Sequence, residues 1–200
     1  MLAENAVSRF DEKVLSAQSH FRAVMDAMAH PGRIVFIAAR DEVSAPMMRA
    51  TAALARALFD HDTPIWRDAA MSGHDVTQWL RFHTDAPLAD DSERAAFALI
   101  GDGEALGDLE AFAHGTAEYP DHSTTLIVQT RSLSAGARYT LSGPGIAGSR
   151  VIRADLQLRD LLARLAKNVL TFPRGIDIVL VNDDAIMAIP RTTRVFSTEG

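Results

Sequence analysis

The stretch that most restricts how this chain folds runs from Phe172 to Val195, FPRGIDIVLVNDDAIMAIPRTTRV. Pro173 and Gly175 break any preceding helix. Ile176, Ile178 and Leu180 then alternate with Asp177, Val179 and Val181. Alternate side chains of a strand point to opposite faces, and apart from Asp177 both faces are apolar, so the strand is expected to be covered on both sides. Asn182-Asp183-Asp184 is turn chemistry. Ile186 to Ile189 reads as a returning strand, stopped by Pro190. Arg191-Thr192-Thr193-Arg194 follows at the strand end. A buried hairpin that delivers cations and hydroxyls to one edge must sit inside a layered sheet.

The rest of the chain supplies those layers. Ser16 to Met28 reads as a helix, with Phe21, Val24, Met25 and Met28 at helical offsets, after a loose lead-in over 1–12. Ile34–Ala38 is a short strand. Ser44-Ala45-Pro46 looks like a capped helix start, with Ala50, Leu54 and Leu58 on one face. Strands are expected at Ile65–Trp66, Ala95–Ile100 and Thr125–Thr130. Arg138–Leu141 is expected to pair with the last of these, and Arg150–Ile152 adds a short strand. Further helices are expected from about Gly73 to Thr84, over Leu106–Phe112, and over Asp155–Leu170, whose stripe of leucines leaves Lys167 in solvent. Trp66, Trp79 and Phe82 read first as core residues. Doubly covered strands interspersed with amphipathic helices mean α/β, a layered domain with a mixed sheet. No linker or repeat divides residues 1–200, and 196–200 forms a second loose tail.

Composition closes off several functions. The 200 residues carry a net charge of −6, against the basic surface a nucleic-acid footprint requires. No cysteine is present, so thiolate catalysis, Cys-ligated zinc and iron–sulfur clusters are excluded within this chain. Only Lys13 and Lys167 are lysines, and neither is placed to form a Schiff base in a pocket. The seven histidines are scattered, without HExxH or another ligand set. MLAENAVSRFDEK has no apolar leader region, and no run approaches membrane-spanning length, so a cytoplasmic chain is expected.

Two segments are candidates for contact with an anion. Gly143, Gly145 and Gly148 spell G-x-G-x-x-G, yet Ser149-Arg150-Val151-Ile152 continues as extended chain where a dinucleotide fold needs a helix. The Gly143–Gly145 loop is therefore a tight turn whose amides either meet an anion or only close the backbone. Three readings stand open for Arg191, Thr192, Thr193 and Arg194: a phosphate held by charge-assisted bonds, an anchor for the chain end, or a subunit interface.

Six segments together carry a family resemblance: FRAVMDAMAHPG (21–32), DHDTPIWRD (60–68), LRFHTDAP (80–87), GTAEYPDHSTTLIVQT (115–130), LSGPGI (141–146) and the 172–195 stretch. In this order they resemble the PhnH subunit family of the bacterial carbon–phosphorus lyase system. The resemblance implies a three-layer αβα sandwich, similar to the large domain of pyridoxal-phosphate (PLP)-dependent transferases but without PLP or any other cofactor. It implies a role in phosphonate catabolism, in the step in which a phosphonate displaces adenine from MgATP to give ribose 1-phosphonate 5-triphosphate. It further implies a homodimer in isolation and assembly with the sibling subunits PhnG, PhnI, PhnJ and PhnL, one of which carries the iron–sulfur cluster for the later cleavage. It transfers no catalytic residue. The expected function is an essential, non-catalytic subunit; the alternative is a subunit that lends arginines to a shared site.

Overall fold

The structure is a computed structural model describing residues 2–39, 42–101, 103, 106–155 and 161–197. Its frame is a six-stranded mixed sheet in the order β1-β8-β7-β4-β3-β2. The strands are β1 (Val35–Phe36), β2 (Ile65–Arg67), β3 (Phe97–Ile100), β4 (Thr125–Gln129), β7 (Asp177–Asn182) and β8 (Ala185–Ile189). β2, β3, β4 and β7 run parallel, whereas β8 is antiparallel to both β7 and β1. The expected 172–190 hairpin is therefore present, in the register Ile178↔Ile189 to Asn182↔Ala185. Asp183 takes the positive φ (49°) that the two-residue loop requires.

Alternation along the strands builds two cores. Leu99, Ile127, Val179, Val181 and Ile186 face the helices α1 (Leu2–Ala29), α2 (Arg49–Leu58) and α3 (His74–Thr84), meeting Val24, Ala27, Ala53, Leu54 and Leu80. Ala98, Ile100, Leu126, Val128, Ile178, Leu180 and Met187 face the other way. The cover there is a second, antiparallel sheet, β6-β5-β9, from β5 (Ser132–Ser142), β6 (Arg150–Asp155) and β9 (Arg194–Ser197), with α4 (Leu161–Leu170) beside it. Leu141, Ile152, Val195 and Leu165 close that core. The α/β class with a mixed sheet holds. The third layer of the expected αβα sandwich, however, is largely a small sheet rather than helices alone.

That second sheet corrects the strand pairing. β5 pairs with β6 and β9, not with β4, because both edges of β4 are already taken in parallel by β3 and β7. The chain ends also differ from expectation: α1 begins at Leu2 instead of Ser16, and β9 reaches Ser197. Residues 156–160 of the expected 155–170 helix lie outside the described residues, and Asp155 closes β6. The 106–112 helix is a single three-residue 3-10 turn, Leu109–Ala111. Phe82 is 81% exposed, since α3 turns Val76, Leu80 and Thr84 inward.

Helix α2 starts three residues after Pro46 and takes no cap from Ser44; its N-cap, Met48, offers no side-chain hydrogen bond. The orphan amides of the first turn are met from the sheet instead. Gln129, pointing from β4 toward the helices, accepts from the Met48 amide (2.7 Å) and from Thr51 Oγ1 (2.8 Å), and its Nε2 donates to the Pro46 carbonyl (2.8 Å). Ala50 N–H donates to the Asp183 carbonyl at 2.8 Å.

Candidate functional site

The predicted segment at the end of β8 does not act as one unit. Arg191 turns inward, its side chain only 14% exposed, and meets Asp177, the single polar residue of the buried strand pattern. Nε lies 3.2 Å from both Asp177 oxygens and Nη2 reaches Oδ2 at 2.5 Å, while the Arg191 backbone amide donates to Oδ1 at 2.8 Å. Nη2 also donates to Ser123 Oγ at 2.5 Å. Nη1 donates to two carbonyls, Pro120 at 2.8 Å and Pro173 at 3.4 Å. The planar fork of an arginine suits this task, because its donors diverge in fixed directions. One guanidinium thus ties the loop before β4, the loop before β7 and the turn after β8 to a single carboxylate, and its charge is committed to the protein.

The three neighbours differ. Thr192 sits on the turn with its carbonyl facing the glycine loop. Thr193 is 1% exposed and its Oγ1 is buried with no partner among the described residues. Arg194 opens β9, exposed, opposite Ser142. The two candidate segments therefore do meet, through the β5–β9 pairing. A Cβ at Gly143 (φ 135°) would stand 2.9 Å from the Thr192 oxygen. A Cβ at Gly145 (φ 79°) would overlap the carbonyl oxygen of Ala29 at the end of α1. Both glycines let this loop pass close between α1 and the 191–193 turn.

Burial, and next the like charge of Arg81, lowers the pKa of Arg67, whose Nη1 donates to Thr77 Oγ1 at 2.6 Å. Burial, and next the Asp155 carboxylate, raises that of Tyr139. No group of three or more histidine or acidic side chains suited to a metal occurs among the described residues. Among them, too, no helix is long and apolar enough to cross a membrane. Lys167 is exposed on α4, as its helical position implied.

Sequence reasoning missed the receiving half of the Arg191 clasp. Asp177 stood out as a break in an apolar pattern, and that break was the available signal. Nothing in the pattern around Ser123 or Pro120 announced a partner so far along the chain.

The Arg191 clasp braces three loops against one another, and the comparison with known proteins says what kind of chain this is. The family model for the bacterial phosphonate metabolism protein PhnH matches residues 8–196. A Rhizobium meliloti (strain 1021) protein, the alpha-D-ribose 1-methylphosphonate 5-triphosphate synthase subunit PhnH, is 41% identical over 187 residues, covering 93% of each chain. The putative C-P lyase subunit protein HtxG of Stutzerimonas stutzeri is 28% identical over 179 residues, 89% of this chain and 85% of its own. With the match spanning both cores, the 191–194 segment and the glycine loop, this chain belongs to the PhnH family of bacterial phosphonate metabolism proteins.

Proposed function

We propose that this chain is an essential, non-catalytic subunit of the cytoplasmic assembly that replaces the adenine of MgATP with a phosphonate, giving ribose 1-phosphonate 5-triphosphate. In this reading residues 1–200 form one domain, akin to the large domain of PLP-dependent transferases but using no cofactor. The domain pairs with itself in isolation and joins PhnG, PhnI, PhnJ and PhnL in the complex. The observation that carries it is the fate of the most distinctive stretch of the chain. The donors of Arg191 are turned onto Asp177, Ser123, Pro120 and Pro173, where they brace the fold and leave no charge for a substrate. The test is omission: the sibling subunits are reconstituted with and without this chain, and adenine release from MgATP is followed. Loss of product without it, and no turnover by it alone, is expected. Full synthase activity in its absence would falsify the reading.

A second reading rests on Arg194. Its side chain is exposed at the start of β9 and no described residue pairs with it. As an arginine lent to a shared site, it predicts that Arg194→Ala raises KM or lowers kcat in the assembled complex while copurification is unchanged. Lost copurification with a normal rate in the remaining complex returns Arg194 to an interface.

A further inference from the structure

A cleft of about 250 Å³ opens between α4 and the 108–114 segment, at the N-terminal ends of β4 and β7. Its floor is rigid. Asn168 is 4% exposed, donates from Nδ2 to the Ile176 carbonyl and accepts from the Ile176 amide, both at 2.8 Å. Gly175 N–H donates to the His114 carbonyl at 2.9 Å, closing the back. Arg164 holds the opposite wall in place through Nη1, to the carbonyls of Leu106 (2.9 Å) and Gly107 (2.6 Å). Asp108 is engaged as the cap of its own turn, accepting from Glu110 N–H at 3.3 Å.

What remains is polarised. Lys167 and Arg174 lie on the α4 side and Glu110 on the facing segment; all three line the cleft. None is in an ion pair within 4.0 Å with any described residue. Opposite charges that share a cleft without touching leave a gap whose two sides want different things. The cationic side favours an anion of up to two charges, and the carboxylate favours hydrogen-bond donors.

We propose that this cleft binds a small organic dianion of the phosphate monoester class, its anionic end on Lys167 and Arg174 and hydroxyl or amino donors at its other end on Glu110. The inference goes beyond the subunit reading and does not depend on it, because a non-catalytic subunit can still hold a metabolite.

The test is calorimetric titration of the full chain with glycerol 3-phosphate, inorganic phosphate and glycerol. Binding is followed in parallel by the NMR signals of the Asn168 side-chain amide and the Gly175 amide. Glycerol 3-phosphate is expected to bind more tightly than phosphate, with glycerol silent, and both NMR signals are expected to move. Lys167→Ala and Arg174→Ala, at exposed positions whose side chains pair with no other side chain among the described residues, should each weaken binding roughly five- to tenfold. Glu110→Ala should bring glycerol 3-phosphate down to the level of phosphate. Arg22→Ala, on the helix covering the opposite face of the main sheet, should change nothing. Absence of binding at millimolar ligand, or full affinity in both cation variants, overturns the site. Equal affinity for glycerol 3-phosphate and phosphate, unmoved by Glu110→Ala, overturns the polarity assigned to it.

Discussion

Replacing Arg191 by alanine removes the guanidinium while leaving Asp177 in place. The carboxylate keeps one bond, from the backbone amide of residue 191 at 2.8 Å, and loses the contacts from Nε and Nη2. Stripping one partner from a buried ion pair costs about 3–5 kcal/mol. The 14% exposure of both side chains and the surviving amide bond pull that toward the lower end. Ser123 Oγ and the Pro120 and Pro173 carbonyls lose a donor as well, and water compensates them in part. A net loss of about 4 kcal/mol follows, large against a typical total of about 5–15. For a chain of this length it corresponds to a fall in Tm of roughly 8–16 °C. Far-UV circular dichroism on heating, with urea unfolding beside it, reads the effect. Asp177→Ala combined with Arg191→Ala should destabilise by about 2 kcal/mol less than the two changes summed, because each single variant already breaks the pair. Arg191→Lys should recover less than half, as one ammonium cannot span carbonyls on two loops. A loss below about 1 kcal/mol in Arg191→Ala would show that the clasp is not what holds these loops.

Gly145→Ala places a methyl against the Ala29 carbonyl at a backbone φ of 79°, and thermal unfolding should register about 2–4 kcal/mol of destabilisation. An unchanged Tm would mean the loop shifts freely. Gln129→Leu leaves the Met48 amide, the Thr51 hydroxyl and the Pro46 carbonyl without their partner; about 3 kcal/mol is expected, with amide exchange in the first turn of α2 accelerating. Tyr139 is raised in the folded state by burial and then by Asp155, so its contribution to stability is present below the unfolded tyrosine range and is lost as pH climbs through the folded value. The phenolate absorbance missing from Tyr139→Phe should therefore appear above pH of about 10, and the variant should lose less stability on going to alkaline pH; a Tyr139 titrating at the ordinary value would contradict this.

The parts of the fold that local chemistry dictates were legible in the sequence. Ile178 to Ile189, with three short polar residues between two apolar runs, has few alternatives to a doubly covered hairpin. The stripe of α3 likewise declares which side it buries, with Val76 and Leu80 inward. Non-local choices were not legible. Arg138–Leu141 carries the alternation of a strand, but its partners depend on β4 being already paired on both sides. The start of α2 hid behind Ser44 and Pro46, because its cap is Gln129, more than eighty positions away. At the candidate site, Arg191 and Asp177 were each conspicuous, one as a cation and one as an interruption. Whether the Arg191 side chain points in or out was not legible, because the turn at 190–193 sets its direction only in three dimensions.

The two-residue connection between β7 and β8 has a consequence for how this family can vary in length. Asp183 passes its carbonyl to Ala50, its carboxylate to Arg49 at 2.8 Å and its amide to the Met48 sulfur at 3.3 Å, so a short surface bend is also the seat of a helix. Inserting residues there would lift α2 from its footing, whereas the exposed bend at 147–149 touches little and has room to grow. Relatives, and engineers seeking a place for a tag or a grafted loop, should find the second permissive and the first closed.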